Sequence, residues 1–227
     1  MDSALVQLIQ RAFTGYSTSS SCGLVIKDVV PILWFGDMNA YFQSQKKIIT
    51  VGYNPSYREF ERDVFKLNIK EVVWRFPDLQ SLVKSRGRLS IQKAALYCSA
   101  LNNYFHYRPY EWFNHYEKIL TNNFSTRPAQ ASYWNSLHDN IAIHIDVVPV
   151  ATSVGWSSVN SSDKNQILKS FPCLFNDLIE YLDPDSIICP HTIQIPTSNS
   201  KIITIPSGRY PGQGMKDIDI KRIQKQL

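Results

Sequence analysis

Four short runs of β-branched, apolar residues constrain the fold of this chain more than any other feature. They lie at 47–52, 140–150, 186–189 and 201–205, and each leads into turn-forming or polar residues. Such runs are typical of strands that are buried on both faces, as in a parallel sheet. Helical patterns separate the runs, and strands that alternate with helices form βαβ units. The sequence therefore predicts an α/β fold in which helices cover both faces of a parallel sheet.

The helical patterns begin at residues that commonly cap helices. Asp37 precedes a short helical segment and Ser90 precedes a longer one, so both are expected to be N-caps. The apolar face of the second helix is expected to include Ile91, Ala94, Ala95 and Leu101. The other predicted helices cover 3–14, 109–120, 163–182 with a kink at Pro172, and a basic segment at 215–227. We expect 17–23 to be a loop, 29–35 to be extended and 66–88 to be irregular.

Length and composition fit one folded domain. The chain has 227 residues, of which 44% are hydrophobic and 12% aromatic, and this is enough for a sizeable core. It contains no internal repeat and no low-complexity linker. We therefore expect a single domain over 1–227, in which 1–30 form an N-terminal helical extension. The net charge of +5 is compatible with a nucleic-acid partner but does not identify one.

Cysteine spacing and the N-terminal sequence bear on cofactors and location. The four cysteines are Cys22, Cys98, Cys173 and Cys189, and none forms a CxxC pair. We therefore expect neither a metal nor another cofactor, and we expect free, buried thiols in a reducing compartment. The N-terminus has neither a basic start nor a long apolar run, which argues against a signal peptide and a membrane span. A cytoplasmic monomer is the expectation.

Polar residues cluster at the ends of the four predicted strands. They are Tyr53, Asn54 and Ser56 with Gly52 and Pro55, then His144 and Asp146, then His191 and Thr192 after Pro190, and finally Ser207, Gly208 and Arg209 after Pro206. The carboxyl ends of parallel strands share one edge of a sheet, and ligands bind in the crevice outside that edge. The four ends are therefore expected to form one site. Taken alone, the Asn54-Pro55 pair could equally do no more than end its strand.

Two of these strand ends carry motifs of a known family. VGYNPS at 51–56 resembles the first motif of the uracil-DNA glycosylase superfamily, in its Gly-x-Asn-Pro form, and PSGR at 206–209 resembles the second. The resemblance covers about the last four-fifths of the chain. It implies a three-layer α/β/α fold around a four-stranded parallel sheet. It also implies an enzyme that cuts the bond between a flipped-out base and its deoxyribose, with DNA as its partner.

The two motifs assign roles to particular residues. By this resemblance, Asn54 orients the water that attacks the sugar, through its carboxamide oxygen. Ser207 and the backbone N–H groups around Gly208 hold a DNA phosphate, and Arg209 or Tyr210 is the candidate to enter the duplex and fill the gap left by the flipped base. The alternatives are an ordinary Pro-Ser-Gly turn and a surface arginine.

Four further residues are candidates for binding the base. Phe60 lies at the distance from the first motif where the family often has an aromatic that stacks on the base, and Tyr53 is a second candidate. Uracil-reading members carry an Asn near the position of Asp146, whereas a carboxylate only accepts hydrogen bonds and suits the N4 amino group of cytosine. Ser56 is small where strict uracil enzymes place a Tyr, so it leaves room at C5. Asp146 could instead cap a neighbouring loop, and Phe60 could belong to the core.

One position differs from the family pattern where a residue would stabilise the leaving base. Ile205 stands where many members have a His or Asn that stabilises the leaving base, and isoleucine cannot donate a hydrogen bond. His191 is the candidate for this catalytic role, with His144 as a second. Either could also be a structural histidine.

These observations predict a DNA glycosylase that removes a C5-modified cytosine and leaves an abasic site. Hypermodified phage DNA carries such bases, so antiviral defence is a plausible setting. The alternatives are a uracil-DNA glycosylase of base-excision repair, a hydrolase of free nucleosides, and a non-catalytic module that binds modified bases. No P-loop, GxSxG or kinase signature supports another enzyme class.

Overall fold

Strands and helices alternate along the chain, as the sequence predicts. In chain order they are α1 (Ser3–Ser19), α2 (Met38–Gln43), β1 (Ile48–Gly52), β2 (Glu61–Val64), β3 (Ile69–Val72), α3 (Ile91–Asn102), α4 (Phe113–Leu120), β4 (Ala142–Asp146), α5 (Ser161–Lys169), α6 (Leu174–Leu182), β5 (Ser186–Pro190), β6 (Lys201–Ile205) and α7 (Asp217–Gln224). The computed structural model describes residues 2–27, 29–56, 59–64, 69–72, 77–82, 85, 89–106, 112–120, 133, 140–195, 199–206 and 214–227. Of residues 61–64, 69–72, 77, 78 and 80 it describes the backbone alone.

The central sheet has four parallel strands in the order β4-β1-β5-β6. All four strands coincide with predicted runs, and β1, β4 and β5 are fully buried, as their apolar sequences require. β4 ends at Asp146, before the predicted 150. Past that residue, the N–H groups of Val147 and Val148 donate to the carbonyls of Gly52 and Tyr53, at 3.0 and 2.9 Å. The carboxyl ends of β1 and β4 are thus tied together on one edge.

Helices cover the sheet in two layers, which gives the predicted three-layer α/β/α architecture. α1 packs against α3 and α6, whereas α4 packs against α7, and α7 also contacts β6. One connected cluster of buried apolar side chains extends from Leu5 to Ile223. The first helix therefore contributes to the core.

α1 is longer than the predicted 3–14. It continues to Ser19, and the hydroxyls of Thr14, Ser17 and Thr18 each donate to a carbonyl four residues earlier, at 2.9, 3.1 and 3.1 Å. These polar side chains therefore find partners within the helix itself. At the other end, the Asp2 carboxylate accepts from the N–H of Ala4 at 3.0 Å and caps the helix.

Two other helix predictions need correction. The predicted kink at Pro172 is a complete break between α5 and α6, since Cys173 adopts a left-handed φ of 58°. In α3, Ser90 is the N-cap as predicted, and Ala94, Tyr97, Ala100 and Leu101 form the buried face. Ile91 is 74% exposed and Ala95 is exposed, so both lie outside the apolar face assigned to them.

A two-stranded antiparallel hairpin, formed by β2 and β3, was not predicted. Its register pairs Arg62 with Glu71 and Asp63 with Lys70. Part of the region 66–88 is therefore regular. The hairpin is polar, so a search for apolar runs does not detect it.

Residues 29–35 are extended, as predicted, and together with 24–27 they form an edge segment along the outer edge of β4 and the residues that follow it. Phe35 and His144 exchange two backbone hydrogen bonds at 2.8 and 3.0 Å, and Ile32 N–H donates to Pro149 O at 2.7 Å. Val25 bridges to Thr152 in the antiparallel sense. This segment therefore fixes the backbone that continues from β4 toward α5.

Tyr97 fastens that edge segment to α3, and its loss should destabilise the fold. The buried Tyr97 hydroxyl accepts from Leu33 N–H at 3.0 Å and donates to Pro31 O at 2.7 Å. Tyr97→Phe leaves both backbone groups without this partner, so we expect the free energy of unfolding in urea to fall by about 2 kcal/mol. Tyr181→Phe, at a half-buried tyrosine of α6, is the matched control and should change it by less than about 0.5 kcal/mol. Equal midpoints and slopes for Tyr97→Phe and wild type would contradict this role.

The cysteines are all free. Cys22 and Cys189 are buried as expected, whereas Cys98 is half-buried and Cys173 is exposed. Burial raises the pKa of the Cys98 and Cys189 thiols to about 11, so neither is a ready nucleophile. Within the described ranges, the helices are all too short or too polar to cross a membrane.

Candidate active site

A cavity of about 690 Å³ opens at the carboxyl edge of the sheet, where β1, β4 and β5 end. This volume falls within the range of small-molecule sites. Its lining residues are Phe35, Val51, Gly52, Tyr53, Asn54, Pro55, Ser56, Glu59, Trp112, Phe113, Tyr116, His144, Asp146, Val154, Gly155, Trp156, Ser157, Lys164, Pro190 and Thr192. Three of the four predicted strand ends therefore meet in one concave site.

Asn54 enters the cavity from the turn after β1, and its amide is held from behind. Its Nδ2 has two hydrogens, which are shared among three acceptors: Thr152 Oγ1 at 3.0 Å, Pro55 O at 3.1 Å and Val150 O at 3.3 Å. The amide oxygen points away from these three acceptors, and no residue in the described part of the chain donates to it. Asn54 Oδ1 is therefore available to accept a hydrogen bond from a water or ligand in the cavity.

The pairing of β1 with β4 brings a histidine and a carboxylate into contact. The register places His144 opposite Thr50 and Asp146 opposite Gly52. Asp146 Oδ1 lies 3.5 Å from His144 Nε2, and His144 Nδ1 lies 2.9 Å from Thr50 Oγ1. Thr50 Oγ1 in turn lies 3.0 Å from the hydroxyl of Tyr133. The side chains of His144 and Asp146 are only 2% and 3% exposed, so a buried polar chain holds the carboxylate at the cavity.

Gly52 makes room for this pair. A Cβ on Gly52 would fall on Asp146 Oδ1, far inside van der Waals distance, and 3.1 Å from His144 Nε2. The glycine of the first motif is thus explained here by the close approach of the carboxylate.

Gly52→Ala should therefore displace Asp146 and impair ligand binding in the cavity. With DNA, the partner that the sequence motifs predict, we expect at least a tenfold loss of affinity, roughly the effect of losing one well-made polar contact, as measured by fluorescence anisotropy. Gly23→Ala is the matched control, because a Cβ there meets nothing within 4 Å. Wild-type affinity in the Gly52→Ala protein would show that the position of Asp146 does not matter.

Aromatic rings enclose His144. The ring centroids of Phe35, Trp112, Phe113 and Tyr116 lie between 5.2 and 5.7 Å from that of His144. These four residues also line the cavity. The wall is therefore mostly apolar, and a few polar groups project from it, which is the usual composition of a site for a flat organic ligand.

Tyr116 stays protonated within this wall. Burial, and then the negative charge of Asp146, raises the pKa of its hydroxyl well above the ordinary value of a tyrosine. The hydroxyl donates to Val51 O at 3.1 Å. Tyr116 thus fixes α4 against β1 through a neutral hydroxyl.

The mouth of the cavity combines aromatic rings with one cation. Tyr53 and Trp156 lie nearly parallel, with ring centroids 6.4 Å apart and an angle of 18°. The Tyr53 hydroxyl is hydrogen-bonded to Thr192 Oγ1, and Lys164 Nζ lies 5.9 Å from the centre of the Trp156 ring. The predicted base-binding residue Tyr53 therefore lies at the rim, beside a positive charge from α5.

Glu59 is a site residue that sequence reasoning missed. It lines the cavity although it is only 3% exposed, and its Oε2 accepts from the Tyr104 hydroxyl at 2.6 Å. Its backbone N–H donates to Ser56 O at 2.9 Å, so the turn after the first motif carries it inward. Glu59 stands among several charged residues that suggest a solvated surface, and the sequence holds no signal of its burial.

The structure places some of the other predicted site residues in the cavity and others outside it. Ser56 and Asp146 line the cavity with Asn54 and Tyr53. Phe60 is 2% exposed and packs in the core, and it is not one of the lining residues described above. To stack on a base, Phe60 would have to leave the core. The rings of the cavity wall already line the cavity and need no such movement.

His191 is exposed, and its neighbours Pro190 and Thr192 line the cavity in its place. His144 is therefore the histidine that faces the site. Ile205 is fully buried at the end of β6. Ser207, Gly208 and Arg209 lie outside the described residues, so their contact with DNA stays a prediction.

Within the described ranges, no group of three or more His, Cys, Asp or Glu side chains is arranged to hold a metal ion. Comparisons of the chain with protein-family models, with curated proteins and with solved structures found no match.

Proposed function

We propose that this protein is a DNA glycosylase that hydrolyses the N-glycosidic bond of a flipped-out cytosine modified at C5, and leaves an abasic site. The observation that carries the proposal is the joint placement of Asn54 and Asp146 in one aromatic-walled cavity at the carboxyl edge of the sheet. Hypermodified phage DNA is the source of such bases that we favour, with antiviral defence as the setting.

The proposed reaction needs a positioned water and a stabilised leaving base. As the glycosidic bond breaks, the sugar becomes oxocarbenium-like and negative charge grows on the base. Asn54 Oδ1 accepts a hydrogen bond from the attacking water and aims its oxygen at C1′ of the sugar. An amide is a weak base, so it contributes through position rather than through proton abstraction.

Asp146 is the proposed reader of the base edge. A carboxylate accepts from the N4 amino group of cytosine, whereas it meets the O4 of uracil with repulsion. The carboxylate is held by His144 at 3.5 Å and pressed against Gly52, so it cannot turn away at low cost. This rigidity supports discrimination between the two bases.

Space in the cavity supports a substituent at C5. Sites of 300–1,000 Å³ bury drug-sized molecules, and about 690 Å³ is more than one pyrimidine ring requires. The small side chain of Ser56 lies in the lining beside Asn54. Glu59, whose Oε2 accepts from Tyr104, adds a second carboxylate to the lining.

Stabilisation of the leaving base falls to His144 in this proposal. It lies within the cavity, whereas His191 is exposed, so we assign to His144 the role that the sequence pattern had given to His191. His144 Nδ1 lies 2.9 Å from Thr50 Oγ1, so it is Nε2, 3.5 Å from Asp146 Oδ1, that would turn to the base and offset the growing charge. Lys164 at the mouth and the net charge of +5 would attract the DNA backbone.

A panel of end-labelled duplexes tests this proposal. Each duplex carries uracil, cytosine, 5-methylcytosine, 5-hydroxymethylcytosine or its glucosylated form at one position, and alkali-sensitive strand breaks report base release. We expect breaks at one or more C5-modified cytosines and few at uracil. Breaks at uracil alone would favour the repair enzyme, and tight binding without breaks would favour the binding module. Activity on free nucleosides that equals activity on duplexes would favour the nucleoside hydrolase.

A further inference from the structure

Thr152 stands directly behind the amide of Asn54. Its side chain is fully buried and does not belong to the cavity lining described above. Its hydroxyl donates to Val154 O at 2.7 Å, and the same oxygen lies 3.0 Å from Asn54 Nδ2. A threonine hydroxyl has one hydrogen, so once it is given to Val154 the oxygen can only accept from Asn54.

On the side of Nδ2, the three hydrogen-bond partners of the amide are therefore all acceptors. Thr152 Oγ1, Pro55 O and Val150 O all accept, and each lies within 3.3 Å of Asn54 Nδ2. If the amide were turned over, its oxygen would face these three oxygens without a donor between them. Such an arrangement leaves buried acceptors without a donor, which is strongly unfavourable. The amide is thus held with its oxygen directed into the cavity.

The backbone at Thr152 is itself fixed. Thr152 bridges to Val25, and on either side Ile26 N–H donates to Ala151 O at 3.0 Å and Ser153 N–H donates to Leu24 O at 2.8 Å. The N-terminal edge segment thus holds the position of the threonine, and the threonine holds the position of the amide.

We propose that Thr152 is a positioning residue, which sets the orientation of the Asn54 amide and so places the attacking water. The catalytic part of this inference rests on the proposed glycosylase function, whereas the orientation of the amide does not. The same geometry explains why position 54 carries an amide. An aspartate there would direct an anionic oxygen at two carbonyls and a hydroxyl whose hydrogen is already used.

Thr152→Val and Thr152→Ser test this role, because valine keeps the shape and removes the acceptor, whereas serine keeps the acceptor. In single-turnover cleavage of the best duplex of the panel, we expect Thr152→Val to slow base release roughly 10- to 100-fold, with the DNA dissociation constant nearly unchanged. Thr152→Ser should recover most of the rate. In the Asn54→Ala background, Thr152→Val should have no further effect, since the two residues act as a unit.

A wild-type rate for Thr152→Val, or an equal loss in Thr152→Ser, would overturn the positioning role. Side-chain amide signals in ¹⁵N NMR spectra give a second readout that needs no substrate. The Asn54 NH₂ pair, identified by its absence in Asn54→Ala, should exchange slowly with solvent in the wild type and in Thr152→Ser, and quickly in Thr152→Val. Slow exchange in Thr152→Val would overturn the inference even if the protein were active. The expected pattern in a protein that cleaves no duplex would keep the orientation and refute only the proposed function.

Discussion

Replacing Asn54 by alanine is expected to slow base release roughly 10²- to 10³-fold, the usual effect of losing one group that positions or stabilises the reacting atoms. The amide oxygen is directed into the cavity because three oxygens behind the side chain accept from Nδ2, and no other amide side chain lines that cavity in the described part of the chain. Without it the attacking water loses its fixed acceptor. Single-turnover cleavage of the best duplex of the panel measures the effect.

The Asn54→Ala protein should fold and bind DNA almost normally. Asn54 is only half-buried, and its loss leaves Thr152 and two carbonyls near a cavity that water can enter. The exposed Asn39 of α2 supplies the matched control, Asn39→Ala, which should cleave at the wild-type rate. A wild-type rate for Asn54→Ala would remove Asn54 from the reaction.

Asn54→Asp separates position from base strength. A carboxylate is the stronger proton acceptor, so a mechanism limited by proton abstraction would become faster. The three acceptor oxygens behind residue 54 would repel the oxygens of a carboxylate. We therefore expect the aspartate variant to be slower than wild type. Faster cleavage by Asn54→Asp would contradict this account of the amide pocket.

The second large effect is expected at Asp146. Asp146→Asn replaces an acceptor by a group that both donates and accepts, so the edge of uracil is no longer repelled. One base-edge contact is worth about 1–3 kcal/mol of discrimination, and we expect the ratio of cytosine-type to uracil cleavage to fall by roughly 5- to 150-fold. Cleavage rates on paired substrates, measured at one enzyme concentration, report this ratio.

The control for Asp146→Asn is Asp217→Asn, at an exposed position of α7, which should leave the ratio unchanged. Asp146 also contacts His144, so the stability of the variant should be measured alongside. An asparagine at 146 that folds, cleaves and keeps the original preference would show that another residue reads the base.

The sheet and its edge were predictable because burial on both faces selects β-branched, apolar runs, and parallel strands must end on the same side. The same rule brought Asn54 and Asp146 to one cavity. The contact of Asp146 with Gly52 was not predictable, since it depends on the register of β1 against β4.

The histidine of the site was harder to predict. His144 and His191 both stand near strand ends, and only the packing around each decides which one faces the cavity. Glu59 and Thr152 lie close to the first motif in the structure, but no sequence pattern links them to it. Their roles follow from hydrogen bonds to Tyr104 and to Asn54, which a sequence does not display. The hairpin of β2 and β3 was not predicted because its strands are polar, and a search for apolar runs does not detect them.

The most direct test of the central claim is the detection of free base by mass spectrometry after a single turnover. The wild type and Asn54→Ala would each be mixed in excess with a duplex that carries one C5-modified cytosine. The account predicts one equivalent of intact modified base and one abasic site with the wild type, and almost none with Asn54→Ala. Firm DNA binding with no free base from any modified cytosine, or equal release by both proteins, would contradict it.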